Sequence, residues 1–137
     1  MFVRIAVAGF LLAHALIHIA FVSPAPPATA DGPAWPFTTK DSWLFSRLGV
    51  GPSEARLVAM ALVAVTVGSF AVASLVALGL SPAVLWAPAV AAGAFASLAL
   101  LVAFFHPWPA LGVAIDVVLL GAALVGGWVP VATTSGV

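Results

Sequence analysis

The chain has 137 residues, 64% hydrophobic and 6% charged, with a mean hydropathy of +1.27; one water-soluble core of this size could not hide so much apolar surface. Four Lys and Arg balance four Asp and Glu, so no basic patch exists to release counterions from nucleic acid, and that class of partner is excluded. The absence of cysteine removes disulfides, thiolate metal sites, iron–sulfur ligation and cysteine nucleophiles together.

Crossing about 30 Å of hydrocarbon takes roughly 20 apolar residues in a helix. Four segments qualify: Ile5 to Val22, Arg56 to Gly79, Pro82 to Phe105 and Pro109 to Val129. The fold class expected is therefore all-α, a four-helix transmembrane bundle in a single membrane domain over residues 1–137, with one long loop over 23–55. Arg4, the apolar run and Ala28-Thr29-Ala30 also read as a secretory signal with its cleavage site. The run is longer than the usual apolar region of a signal, so the segment is expected to be retained.

Ser53 and Ser81 stand where helix caps are expected, and Pro82 suits a first helical position. Pro88 lies six residues into the third span, where it is expected to kink the chain. Pro107 and Pro109 bracket the entry to the fourth span, and Gly126, Gly127 and Pro130 end it. The turns at Leu80-Ser81 and at His106 to Trp108 are short, which makes sequential helices antiparallel neighbours.

The loop carries Pro24, Pro26, Pro27, Pro33 and Pro36 and is expected to be extended. Thr38-Thr39-Lys40-Asp41 reads as a capping box, and Trp43, Leu44 and Leu48 follow at helical spacing until Gly49; a short interfacial helix is the expectation. Trp35, Trp43 and Trp108 fall on the loop side and Trp86 and Trp128 on the other, an aromatic belt at each interface. Counting positive charges gives Lys40, Arg47 and Arg56 to the loop side against Arg4 opposite. The short N-terminal tail and the signal-like flank argue the other way, and place the N-terminus in the cytoplasm.

His14 and His18, four apart, share one helix face with Leu11 and Phe21. From Val22 inward they lie about 6 Å (His18) and about 12 Å (His14) deep at the helical rise. His106 ends the third span on that same side, and Asp116 sits about 10 Å below Pro109. Three histidines and the one clearly intramembrane acid thus come from three helices into one leaflet. An ionised Asp at that depth is costly, so it must face the interior and be paired or protonated. The plainest role for the cluster is an interhelical network that fixes packing. Chemically, His14, His18, His106 and Asp116 also suffice for a transition-metal site, and His14 or His18 opposite His106 for haem. A proton relay is a further member of this class, although the single intramembrane acid argues against a coupled transporter. No Ser-His-Asp arrangement can be argued, and no catalytic residue is assigned.

Ala89, Gly93 and Ser97, and likewise Ser69, Ala73 and Ala77, recur every fourth residue, a spacing that lets helix backbones approach closely. In the loop, Trp35, Phe37, Trp43, Leu44 and Phe45 crowd together with few charges, more apolar bulk than a solvated loop needs. They are expected either to anchor in the lipid interface or to contact a partner.

The run Ala13-His14-Ala15-Leu16-Ile17-His18, with Trp35-Pro36-Phe37, Ser42-Trp43-Leu44, His106-Pro107-Trp108 and Asp116, resembles a group of small uncharacterised bacterial four-helix integral membrane proteins and, more loosely, DoxX-like proteins. The resemblance implies a four-helix bundle in the bacterial cytoplasmic membrane, sometimes associated with redox or quinol-oxidising assemblies. The expected function is a non-catalytic accessory subunit or binding module, docking through the Trp-rich loop on other membrane subunits or a second copy. The alternative is a haem- or metal-binding redox component built on the His/Asp cluster.

Overall fold

A computed structural model describes residues 1–27, 32, 35–40 and 42–125. Among them there are five α-helices and no strand: α1 (Phe2–Ile17), α2 (Trp43–Arg47), α3 (Pro52–Leu78), α4 (Trp86–Ala103) and α5 (Ala110–Leu124). Short 3₁₀ turns, His18–Phe21 and Ala83–Leu85, extend α1 and precede α4. Three stretches are long and apolar enough to cross a membrane: Phe2–Phe21, Pro52–Leu78 and Ala83–Ala103. Helix α5 is equally apolar but has 15 described residues. The expected end of the fourth span at Gly126, Gly127 and Pro130, the belt residue Trp128, the Ala28-Thr29-Ala30 motif, Pro33 and Asp41 lie outside the described residues.

Helix punctuation differs from expectation in several places; before α4, Pro82 and not Ser81 is the residue that precedes the 3₁₀ turn Ala83–Leu85, with no side-chain cap. Helix α3 starts at Pro52, not near Arg56: Gly51 is its N-cap, and Pro52 takes the first turn, where no amide partner is lost. Ser53 is then inside the helix and donates to Glu54 Oε2 (3.2 Å) instead of capping. The short helix is capped by Ser42, whose Oγ accepts from Phe45 N–H (3.2 Å), not by the threonine pair upstream. Pro88 causes no mid-helix break, because the chain is 3₁₀ up to Leu85 and α4 begins at Trp86, which leaves Pro88 in a first turn that has no bond to lose.

Gly49 and Gly79 close α2 and α3 in the same manner. Both have positive φ (69° and 79°). In each, the following amide reaches back five residues, Val50 N–H to Phe45 O (3.0 Å) and Leu80 N–H to Leu75 O (2.8 Å), the Schellman arrangement that only glycine enters without strain. Arg4 then donates from Nε to Ala77 O (2.7 Å), setting a cation on the carbonyl end of α3.

Helix α3 packs on α4 and α1, and α4 on α5. The small-residue stripes make this close: Ala73, Ala77, Ala89 and Gly93 are buried, and a Cβ at Gly93 would lie 2.9 Å from the Phe70 ring. Phe70, fully buried, fills the space that Gly93 leaves and presents its edge to His14, with centroids 5.5 Å apart. Packing between α1 and α5 is looser than along these three seams. Those two helices are tied by polar side chains.

The loop turns most of its aromatic residues into the chain itself. Phe37 meets the Phe21 ring edge-on (5.2 Å), Phe45 meets Phe104 (5.6 Å), and Leu44 packs on the same cluster. Ser42 Oγ–H donates to Ala103 O, and Trp43 Nε1–H to Val102 O (2.6 Å). These are carbonyls at the end of α4 that no helical amide can reach, so the loop caps α4 through side chains.

Candidate functional site

Four side chains from three helices form one buried network. His14 on α1 and Asp116 on α5 meet directly, with Nε2 to Oδ1 at 2.8 Å. Ser97 on α4 bonds to Asp116 Oδ2 and lies 2.6 Å from His18 Nε2. His18 Nδ1–H donates to the carbonyl of His14, 2.9 Å away and one turn earlier. Asp116 and Ser97 have no exposed surface, and His14 and His18 are 5% and 2% exposed.

The sequence places each residue here for an ordinary reason. His14 and His18 are on the buried stripe of α1 with Leu11 and Ala15. Ser97 continues the small stripe of α4, where a short side chain lets α5 approach; Asp116 is the one buried residue of α5. Sequence reading found His14, His18 and Asp116 but saw Ser97 as packing alone. The signal available was its position, at the loop-side end of a small-residue stripe, near the depth expected for the histidines.

His106 does not join them. It sits in the turn after α4, its Nδ1 accepting from Trp108 N–H (3.2 Å), so the structure does not oppose it to His14 or His18 as a haem would require. The ligand atoms of His14, His18 and Asp116 do lie within 4.8 Å of one another. A tetrahedral ion with bonds of about 2.0–2.1 Å, however, holds its ligand atoms about 3.4 Å apart. At 2.8 Å the His14–Asp116 pair is at hydrogen-bond distance, and the Ser97 hydroxyl bridges Asp116 to His18. The donors are arranged around protons.

With each of the four contacts taken as a hydrogen bond, the charge follows from a hydrogen count. The four contacts need one hydrogen each, and that on His18 Nδ1 is fixed because a carbonyl only accepts. Two neutral imidazoles, a serine and a carboxylate carry three hydrogens. Closing all four contacts takes one more, which leaves the network electrically neutral. That hydrogen resides on Asp116 Oδ2, donating to Ser97, because a hydrogen on His18 Nε2 would make His18, already protonated at Nδ1, a buried cation beside an ionised Asp116. His14 then donates from Nε2 to Asp116. Neutrality removes most of the cost of placing an acid among apolar helices.

Ser97, His18 and Asp116 are the residue types of a hydrolase triad, but not its arrangement. Here the serine bonds both the acid and the histidine, and it has no exposed surface from which to attack a substrate.

The two histidines of the network line a cavity of about 240 Å³. Its walls are Ile17, Phe21, Leu101, Leu111, Gly112 and Ile115, with Phe37 and Trp108 at the loop end and the rings of His14 and His18 beside them. It occupies the loose seam between α1 and α5. Of the loop residues singled out from sequence, Phe37 lines it; Trp35 packs on Phe37 (5.3 Å), Leu44 and Phe45 pack in the core, and Trp43 remains exposed on one face. Compared with family models, with curated proteins and with solved structures, the chain finds no match in any of the three.

Proposed function

We propose that the chain is a non-catalytic binding module of the membrane, its four apolar helices spanning the bilayer, which takes a small, mainly apolar molecule into the cavity between α1 and α5. The observation that carries this reading is the coincidence of the cavity with the buried His14–Asp116–Ser97–His18 network: an apolar pocket with a few convergent polar groups is the usual form of a small-molecule site. Its volume, about 240 Å³, exceeds the roughly 150 Å³ that admits benzene in an engineered apolar cavity, so one substituted ring fits. A loose helix seam gives such a molecule entry from the lipid. The loop contributes Phe37 to the site, which makes it part of the pocket wall more than a docking surface; Trp43 is the aromatic it leaves for lipid or a neighbouring subunit.

The test is propylbenzene binding to protein in lipid nanodiscs, read by Trp fluorescence, since Trp108 lines the cavity. Saturable binding by the wild type, lost in Gly112→Leu with the helical circular dichroism unchanged, is expected; a signal that rises linearly with lipid loading in both proteins would refute the reading. Visible absorption and metal analysis of the purified protein separate this reading from a redox centre, for which stoichiometric haem or metal would be found.

A further inference from the structure

The network specifies which kind of polar head the cavity accepts. His14 directs Nε2–H at Asp116 in every neutral arrangement of the four contacts. Placing the hydrogen on Asp116 Oδ1 instead would leave the two Ser97 contacts to share one hydroxyl hydrogen unless His18 became a buried cation. His14 Nδ1 is therefore a bare lone pair, and it has no bonding partner among the described residues. Both nitrogens of His18 are engaged, one by the backbone and one by Ser97. Of the two imidazoles that line the cavity, only His14 has a polar atom to offer, and that atom accepts.

We propose that the cavity selects an apolar molecule of one ring bearing a hydroxyl, a phenol or benzylic alcohol in chemical class, whose O–H donates to His14 Nδ1. This rests on the cavity being a binding site. The ring lies against Phe21, Phe37 and Trp108 at the loop end, where offset or edge contacts with the aromatic walls are available. An ether or ketone of the same shape brings only a second lone pair to face the first, and leaves Nδ1 unpaired in an apolar site. A site built to pair with a donor rejects the analogue that lacks it more strongly than it rejects a change of one methylene.

The experiment compares para-propylphenol with para-propylanisole on the full-length wild-type protein in nanodiscs, at matched mole fractions in the lipid so that partitioning cancels. The phenol is expected to bind about tenfold more tightly, the scale of one hydrogen bond with a partner otherwise left bare. In His14→Phe, which keeps an aromatic ring but no acceptor, the two are expected to bind alike. Because the wild-type comparison needs no variant, a folding defect in His14→Phe does not blur the result. If the anisole binds the wild type as well as the phenol does, the donor rule is overturned while the cavity reading stands. If neither saturates, both fall.

Discussion

Replacing Asp116 by Asn and by Ala should give different results, and the difference measures the network. In Asp116→Asn the amide oxygen accepts from His14 Nε2–H, the amide nitrogen donates to Ser97, and Ser97 donates to His18 Nε2, so every contact seen around Asp116 and Ser97 survives with no net charge. A stability change within about 1 kcal/mol follows. Asp116→Ala strands the His14 N–H in a region with no exposed surface at Asp116, while Ser97 keeps its bond to His18 Nε2 and loses the one to Asp116. The stranded group costs about 1–3 kcal/mol by soluble-protein experience, and the lost interhelical hydrogen bond adds the membrane average of about 0.6 kcal/mol. The combined loss expected is about 2–4 kcal/mol. Reversible unfolding in mixed lipid–detergent micelles, followed by helical circular dichroism, measures both variants on one scale. Should Asn prove as costly as Ala, the carboxylate charge would be indispensable and the neutral network would be wrong.

Other substitutions follow from single contacts. The double variant His14→Ala with Asp116→Ala should lose clearly less than the sum of the singles, because the pair at 2.8 Å can be broken only once; strict additivity in the same unfolding assay would deny the pairing. Gly79→Ala should cost about 1–2 kcal/mol, since φ is 79° and the added methyl meets the Arg4 guanidinium; an unchanged midpoint would contradict that. Ser42→Ala removes the cap of α2 and the bond to Ala103 O together, an expected loss of about 1–2 kcal/mol, and limited proteolysis should then cut the loop faster.

The helices were legible because an apolar run of about 20 residues has few alternatives in lipid. Their ends were less so. Ser53, the Thr38-Thr39 pair and Pro88 each fit a local rule, yet Gly51-Pro52, Ser42 and the 3₁₀ turn before Trp86 satisfied the same amides at lower cost. The pairing of His14 with Asp116 could be foreseen, as a buried acid needs a partner and histidines were the residues at its depth. Ser97 was hidden by its size: a small residue in a small-residue stripe has a sufficient packing explanation until its hydroxyl is seen between Asp116 and His18. The inward turn of Phe37, Leu44 and Phe45 was hidden because loop composition records apolar bulk, not the surface that will cover it. His106 was expected in the leaflet of the cluster, but the amide of Trp108, two residues on, claimed its ring nitrogen.

Solid-state nitrogen NMR of isotope-labelled histidine in lipid tests the central claim most directly, because it reads which ring nitrogens carry hydrogen. The account predicts a neutral His14 protonated at Nε2, with a bare Nδ1 whose resonance moves on addition of para-propylphenol while the His106 resonances stay fixed. A His14 protonated at Nδ1, or a bare Nδ1 that does not respond to saturating para-propylphenol, would contradict it.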